Sequence, residues 1–232
     1  MKKFILLLIL ALSNSANAAS QVKLLNANID SHDLKSLQDG AKTYMDYCSG
    51  CHSLKYMRFN RIAKDLELTE DEVRADLMHV ATKMTDFVTT NITEDNGNNW
   101  FGKQPPDLSL IGRSRGKDWL YTYLLSFYVD GNKATGSNNL VFKDVGMPNV
   151  LEGLQGQQRL VDGQLQIVEG SGTLDKQNFD KKVINLVNFL DYVGEPIKNY
   201  RQSLGHYVIL FLLVLLILAY LLKKEYWKDI HK

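Results

Sequence analysis

The chain has 232 residues, of which 45% are hydrophobic, and its 27 basic and 26 acidic side chains give a formal net charge of +1. This balanced charge, with no basic patch interleaved with aromatic residues, excludes nucleic acid as a partner. The length between two apolar ends suffices for one domain, or for one domain with long loops.

The first segment, MKKFILLLILALSNSANAAS, has the pattern of a secretory signal peptide. Lys2 and Lys3 precede an apolar run over residues 4–12, and an A-x-A cleavage site lies at residues 16–18. The run is shorter than the roughly 20 residues that a spanning helix needs. We therefore predict that residues 1–18 are removed and that the remainder enters an oxidising, periplasm-like space, where free thiols do not persist.

Both cysteines, Cys48 and Cys51, lie in the stretch YMDYCSGCHSLKY, where His52 follows the second cysteine directly. The preceding DLKSLQDGAKTYMDYC has apolar residues at helical spacing and predicts a helix that leads into this motif. A disulfide, a metal site and a covalent haem are the three alternatives. Structural zinc normally needs two spaced pairs of ligands, of which this chain has one. A thioredoxin-type disulfide leaves the adjoining histidine unexplained.

The sequence C-x-x-C-H is the attachment signature of c-type haem. Two thiols across one short turn can bond to both vinyl groups of a porphyrin, and the next residue presents an imidazole to the iron. The motif therefore predicts haem c attached through Cys48 and Cys51, with His52 as the proximal iron ligand.

Two helices and an irregular loop are predicted between the haem motif and residue 130. Thr69 and Glu72 form a capping box for a helix in LTEDEVRADLMHVATKM. Asp118 is the predicted N-cap of a second helix in DWLYTYLLSFYV. The loop NITEDNGNNWFGKQPPDLS is rich in Asn and Gly, and its prolines at 105 and 106 impose an extended backbone.

A sixth iron ligand would close the haem to oxygen and substrates, as electron transfer requires. The methionines beside the motif lie too close to it to reach the far face of the ring, and the histidines near the C-terminus belong to a membrane segment. Met147 remains, in a loop restricted by Gly146 and Pro148. A thioether opposite histidine raises the reduction potential. His79 is the second candidate for this position.

The C-terminal part combines a hairpin, a core helix and an apolar helix. RLVDGQLQIV, with Asp162-Gly163 at its centre, predicts a β-hairpin. DKQNFDKKVINLVNFLDYVG predicts a helix that ends at Gly194 and faces the core with Phe179, Val183, Leu186, Val187 and Leu190. The apolar stretch at residues 204–222 predicts a transmembrane helix, and the four lysines of residues 223–232 place that tail in the cytoplasm. Residues 19–203 then form the exported haem domain.

Four blocks of the sequence resemble, in the same order, the cytochrome c1 family of haem subunits in cytochrome bc1 complexes. These blocks are CSGCHSLKYMR, QPPDLSLIGRSRG, VGMPNVL and FLDYVGEPIKNYRQSLG followed by the membrane helix. The resemblance covers essentially the mature chain. It implies a mainly α, cytochrome c-like domain with long loop insertions, anchored in a bacterial inner membrane and facing the periplasm.

The same resemblance implies partners and further site residues. The partners are a cytochrome b, a Rieske iron-sulfur protein as electron donor and a soluble or anchored cytochrome c as acceptor, in a dimeric complex. Pro105, Pro106 and Leu110 would wall the haem pocket, and Arg113 would contact a haem propionate, with Arg115 as the other candidate. The loop over residues 131–145 lacks the aromatic and proline-rich stretch of the family.

The predicted function is electron transfer within a ubiquinol–cytochrome c oxidoreductase, with no independent catalytic turnover by this subunit. A stand-alone membrane-anchored c-type cytochrome, serving another oxidase or reductase, is the first alternative. A haem enzyme or gas sensor, which would keep the sixth iron position open, is the second.

Overall fold

The computed structural model describes residues 22–79 and 81–228, so the predicted signal peptide at residues 1–18 lies outside the described residues. The described part is mainly helical, as predicted. Its helices are α1 (Leu34–Tyr47), α2 (Phe59–Asp65), α3 (Glu70–Asp76), α4 (Glu94–Phe101), α5 (Ile111–Ser114), α6 (Lys117–Leu125), α7 (Glu152–Gln155), α8 (Lys176–Gly194) and α9 (Lys198–Tyr226).

Three short antiparallel strand pairs lie between the helices in the described part of the chain. They are β1 (Leu54–Arg58) with β2 (Phe87–Val88), β3 (Phe127–Val129) with β4 (Ser137–Asn139), and β5 (Gln158–Val161) with β6 (Gln164–Ile167). The third pair confirms the predicted hairpin. Its turn residues Asp162 and Gly163 both have positive φ, at 50° and 77°, as a tight two-residue turn requires. The other two pairs were not predicted from the sequence.

Side-chain caps set the start of several helices. Asp33 accepts a hydrogen bond from the Ser36 amide at the start of α1, and Asp175 caps α8 in the same way. Thr69 and Glu72 form the predicted capping box of α3. These caps satisfy amide donors that have no partner within their own helix.

Three predicted helix boundaries were wrong. The helix with the capping box ends at Asp76 instead of continuing to residue 84, and Thr82 and Lys83 donate their amides to the Asp86 carboxylate in a separate turn. Asp118 is not an N-cap, since α6 starts one residue earlier and this carboxylate accepts the Ala27 amide at 2.8 Å.

The third correction concerns the end of α6. This helix stops at Leu125, and residues 127–129 form strand β3. The Phe127 side chain is buried, and the strand pairs residue by residue with β4. Ser126 marks the change, because its hydroxyl donates to the buried Asn139 side chain. Pairing with the next strand of the chain has overridden the local helical pattern here.

The core lies where α8 crosses α1, α5 and α6. Glycine permits the closest approach to α1, since a Cβ on Gly40 would lie only 2.1 Å from the carbonyl oxygen of Asn185. The Tyr44 and Phe189 rings meet beside this crossing, with centroids 5.9 Å apart. The apolar residues predicted to face the core on α8 are all buried: Phe179, Val183, Leu186, Val187 and Leu190.

Helix α9 has 29 residues and is long and apolar enough to cross a membrane. None of the residues in its most apolar stretch is buried. At 1.5 Å per residue it extends about 43 Å, beyond the roughly 30 Å of a hydrocarbon core. It therefore contains the predicted span at residues 204–222 and starts earlier, at Lys198. Within residues 22–79 and 81–228 it is the single helix with this character.

Candidate haem-binding site

The Cys48–His52 motif forms a compact turn at the C-terminal end of α1. The Cys48 amide continues the helical pattern by donating to the Tyr44 carbonyl at 2.8 Å. The Cys48 carbonyl then accepts the amides of Cys51 and His52, at 3.0 and 2.8 Å. These bonds bring two thiols and one imidazole together on a single turn. Cys48 is buried, whereas Cys51 and His52 are partly exposed.

The two thiols are free and not joined in a disulfide. Burial, and then the neighbouring Cys51, raise the pKa of Cys48 to about 12. Burial also raises the pKa of the Cys51 thiol. Reactive thiols of redox enzymes instead have lowered pKa values, which favour the thiolate. The electrostatics of this turn therefore disfavour a thioredoxin-type function.

The imidazole of His52 is oriented by the backbone of the loop before α5. Its Nδ1 lies 2.7 Å from the carbonyl oxygen of Pro106. Because a carbonyl only accepts hydrogen bonds, Nδ1 carries the proton and Nε2 keeps a lone pair. Burial lowers the pKa of His52, and the bond to Pro106 opposes this shift. A neutral imidazole with a fixed tautomer is the form that binds a metal.

The segment with Pro105 and Pro106 runs beside the motif and is bonded to it. Ser53 accepts the Leu108 amide at 2.8 Å through its carbonyl, and Asp107 accepts the Lys55 amide at 2.9 Å. Pro105 is half-buried, and Pro106 is exposed. Leu110, the N-cap residue of α5, is also exposed.

Met147 lies in the loop after β4 and is partly buried. Its sulfur accepts a hydrogen bond from the Tyr123 hydroxyl at 3.3 Å. Tyr123 itself stacks on Trp119, with centroids 4.9 Å apart and rings 10° from parallel. Neither Tyr123 nor Trp119 was predicted as a site residue from the sequence. Their spacing of four residues on α6 was the available signal, because such residues lie on one helix face.

The other ligand candidate, His79, lies at the surface. Its Nε2 is 3.5 Å from a carboxylate oxygen of Asp46 on α1, and nearly half of its side chain is exposed. The contact places this imidazole against the outside of α1. Met147 and His79 thus lie in different surroundings, one beside stacked aromatic rings and the other beside an exposed carboxylate.

The two arginines proposed for a propionate point to different partners. The Arg113 guanidinium binds Glu195 at 2.8 Å. Arg115 lies over the Trp119 ring, 5.0 Å from its centroid. Arg115 is therefore joined through the Trp119–Tyr123 stack to Met147, while Arg113 is joined to the residue that lies just before the apolar helix α9. Glu195 was not predicted as a partner.

The donor set fits a c-type haem. Two adjacent thiols, an imidazole with Nε2 free and a thioether held by a tyrosine are the groups that covalent attachment and two axial bonds require. In the described ranges, 22–79 and 81–228, no group of three or more His, Cys, Asp or Glu side chains is arranged to hold a metal ion. A surface cavity of 180 Å³ beside Phe179 contains none of the predicted site residues.

The sequence matches one protein family and is similar along its length to several known proteins. The sequence model described as the Cytochrome C1 family matches residues 25–230. A cytochrome c1 of Allochromatium vinosum is 48% identical over 244 residues, covering 100% of both chains. A protein of Nitrosomonas europaea named ammonia monooxygenase gamma subunit is also 48% identical, over 100% of this chain and 99% of its own. The mitochondrial cytochrome c1 heme protein of Schizosaccharomyces pombe is 24% identical, over 85% of this chain and 68% of its own.

Proposed function

The chain belongs to the cytochrome C1 family, and we propose that it is the haem-carrying electron-transfer subunit of a respiratory bc1 complex. Proteins of this family carry covalently bound haem c, and Cys48 and Cys51 are the cysteines of this chain that attach it. In the proposed role the subunit receives electrons from a Rieske iron-sulfur protein and passes them to a cytochrome c. It turns over no substrate by itself.

The hydrogen bond between His52 and Pro106 is the observation that carries this proposal. It leaves Nε2 of His52 free to bind a haem iron, for which Met147 would supply the other protein ligand. The haem, when bound, supplies a one-electron ferric–ferrous couple. With both side chains bound to the iron, no position would remain for oxygen or a substrate. This property distinguishes an electron carrier from a haem enzyme or a gas sensor.

The remaining site residues orient the ligands and exclude water. Pro105, Pro106 and Leu110 form one side of the proposed pocket, and Tyr123 orients the Met147 sulfur from another. Arg113 or Arg115 would pair with a haem propionate, for which a guanidinium fork is suited. Hydrogen bonds between residues 107–109 and the residues directly after the motif, Ser53, Lys55 and Tyr56, keep this wall in place.

The membrane topology of the proposal follows from both ends of the sequence. Residues 1–18 act as a signal peptide, and residues 19–203 form the periplasmic domain. The span at residues 204–222 anchors this domain in a bacterial inner membrane. Residues 223–232 remain in the cytoplasm, because their lysines are retained on that side. A cytochrome b is the partner of the anchor within the membrane, in a dimeric complex.

A stand-alone anchored cytochrome would share the motif and the anchor. The bc1 assignment is favoured by similarity along the whole chain to a protein named cytochrome c1, rather than by the haem motif alone. The name ammonia monooxygenase gamma subunit belongs to the Nitrosomonas europaea relative, and the proposal does not transfer it to this chain. The same domain, motif and helix can be tested directly for association with b-type haem.

The test is a reduced-minus-oxidised spectrum of the tagged chain purified from its own membranes in mild detergent. We expect b-type and c-type bands together, and reduction of the c haem by quinol that a quinol-site inhibitor blocks. The double variant Cys48→Ser/Cys51→Ser is the control and should lose the c band. A c band alone after several gentle extractions would support the stand-alone carrier instead.

A further inference from the structure

We propose that residues 90–106, here called the strap, hold the Met147 loop in place, and that Gly97 is the positioning residue that makes this contact possible. The strap includes α4 and the segment that leads to Pro106. The proposal rests on Met147 being the iron ligand, as the proposed function has it. It assigns a role to α4 that the haem motif does not specify.

Both ends of the strap are bonded to the Cys48–His52 turn or its flank. At the first end, the Thr90 amide donates to the Ser53 hydroxyl at 2.9 Å, and the Thr90 hydroxyl donates to the Gly50 carbonyl at 2.6 Å. At the other end, the Pro106 carbonyl accepts from His52 at 2.7 Å. The strap therefore begins and ends on the side of the proximal ligand.

Between these ends, α4 folds back on the segment that follows it. Thr93 caps its start, and Gly102, with φ at 74°, ends it in the left-handed conformation. The return brings Gly97 against Gln104 and Pro105. A Cβ on Gly97 would lie 2.2 Å from the Gln104 Oε1, 3.0 Å from the Gln104 Cα and 3.0 Å from the Pro105 Cδ.

Gln104 fills the space inside this fold. Its amide nitrogen donates to the Ile92 carbonyl at 3.3 Å, whereas its Oε1 is buried without a hydrogen-bond partner. A buried acceptor without a partner has a free-energy cost, so this side chain is held in place by packing. The Gln104 side chain lies directly against Gly97, where a Cβ would displace it.

The far end of α4 reaches the distal side. A Cβ on Gly146 would lie 3.1 Å from the carbonyl oxygen of Phe101, the last residue of α4. Gly146 directly precedes Met147, whose sulfur is bonded to Tyr123 on α6. The Met147 loop therefore lies between the end of α4 and α6. The strap links the two proposed axial ligands through the protein itself.

This geometry predicts which side yields when α4 is displaced. A methyl group on Gly97 displaces the end of the Gln104 side chain, and its 3.0 Å contacts with the Gln104 Cα and the Pro105 Cδ require α4, and with it Phe101, to shift by a few tenths of an ångström. In the haem-loaded chain, His52 would be retained by its hydrogen bond to Pro106 and by two neighbouring thioethers, whereas Met147 would be held by the Tyr123 hydroxyl and by its own bond to the metal. Displacement of α4 should thus weaken the Met147 bond and leave the proximal side intact.

The experiment compares Gly97→Ala with Gly131→Ala in the full-length, haem-loaded chain purified from membranes. Gly131 is an apt control, since a Cβ there meets nothing within 4 Å. Three quantities are measured: haem stain on the denatured polypeptide, the methionine-to-ferric-iron charge-transfer band, and carbon monoxide binding to the reduced protein. Gly97→Ala should keep the stain, lose part of the band and bind carbon monoxide in a corresponding fraction of the molecules. Gly131→Ala should match the unaltered protein.

Two further variants complete the test. Gly97→Ala/Gln104→Ala removes the nearest clashing atom and should regain part of the band. If Gly97→Ala does not accumulate, Gly102→Ala takes its place. This variant strains the end of α4 without a steric clash, and a smaller fraction of its molecules should bind carbon monoxide. An unchanged band in Gly97→Ala, or loss of stain together with the band, would overturn the strap. A missing band in the unaltered protein would instead remove Met147 as ligand, and with it that part of the proposed function.

Discussion

At the scale of single residues, the proposed iron ligands are oriented by hydrogen bonds from other parts of the chain. His52 donates through Nδ1 to the Pro106 carbonyl, and the Met147 sulfur accepts from Tyr123. Neither partner is adjacent in sequence to the ligand that it orients. Local sequence therefore specifies the chemistry of the ligand, while tertiary structure specifies its direction.

Tyr123→Phe should lower the reduction potential while leaving Met147 bound. Burial raises the pKa of Tyr123, so its hydroxyl remains a donor at physiological pH. Donation withdraws electron density from the sulfur and favours ferrous iron. Its loss is worth at most about 1 kcal/mol, on the order of 40 mV for one electron. Redox titration against the control Tyr56→Phe, at an exposed ring, measures the difference.

The outcome for Tyr123→Phe separates tuning from positioning. A lower potential with no carbon monoxide binding means that the hydroxyl adjusts the electronic properties of Met147. Carbon monoxide binding would mean that the hydroxyl is needed to hold the ligand. A potential equal to that of Tyr56→Phe would show that the bond has no effect on the couple.

At the scale of helices and strands, the crossing of α1 and α8 sets the position of the haem motif. The motif turn follows α1 directly, so any change in how α1 lies on α8 moves both cysteines and His52. Two kinds of contact fix the crossing. Gly40 allows backbone approach, and the Ser36 hydroxyl donates to the buried Asn185 side chain at 2.8 Å.

Gly40→Ala should destabilise the domain by about 1–3 kcal/mol, the usual cost of overpacking, or more. The added Cβ would lie 2.1 Å from the Asn185 carbonyl oxygen and 2.8 Å from the Phe189 Cβ, and neither backbone can yield without separating the helices. Denaturant unfolding in detergent, followed by circular dichroism, measures the loss. Gly153→Ala, whose Cβ meets nothing within 4 Å, should unfold like the unaltered chain. Equal midpoints for the two variants would contradict the close crossing.

Sequence patterns predicted those elements whose signals are local. The Thr69–Glu72 capping box, the Asp162–Gly163 turn and the apolar face of α8 each depend on residues close in sequence, and each is present. The prediction of Asp118 as a helix cap was wrong because its carboxylate accepts the Ala27 amide, about 90 positions away. Such a long-range partner leaves no periodic trace in one sequence. The predicted end of α6 was wrong for another reason: β3 pairs with β4 across residues 130–136, and this pairing outweighs the helical spacing before it.

The site shows the same division. The motif C-x-x-C-H carries its chemistry in adjacent residues, so Cys48, Cys51 and His52 could be proposed from spacing alone. Tyr123 and Glu195 could not, because their importance lies in contacts with Met147 and Arg113. Arg113 and Arg115 differ by two positions yet face separate partners, a distinction that the sequence does not make.

At the scale of the whole molecule, a cluster of charges joins the haem domain to α9, the proposed membrane helix. Glu195, between α8 and α9, binds Arg113 of α5 at 2.8 Å and the Nη2 of Arg201 at 3.1 Å. Beside it, Lys198 binds Asp191 at 2.7 Å. The cluster thus connects three helices, of which one continues towards the membrane and another follows the wall of the proposed haem pocket.

Glu195→Gln should loosen the orientation of the haem domain relative to the membrane. The Arg201 guanidinium, with Arg113 and Lys198, lowers the pKa of Glu195. A lowered carboxylate pKa means that the ion pairs are complete at neutral pH and are lost only as the pH falls through the lowered value. Replacing the carboxylate with an amide of the same shape therefore removes at pH 7 the charge that binds both arginines.

The measurement is electron paramagnetic resonance of the oxidised haem in oriented membrane multilayers, which reports the angle of the haem to the membrane plane. The unaltered chain should give a narrow angular distribution, and Glu195→Gln a broader or shifted one. Asp180→Asn is the matched control, because Asp180 pairs with Lys176 on its own helix and not with α9. If Glu195→Gln and Asp180→Asn give the same narrow distribution, the orientation is set by the partners of the membrane helix rather than by this cluster. Electron transfer falls steeply with distance, so a domain that tilts on its anchor would also receive electrons from a membrane-bound donor more slowly.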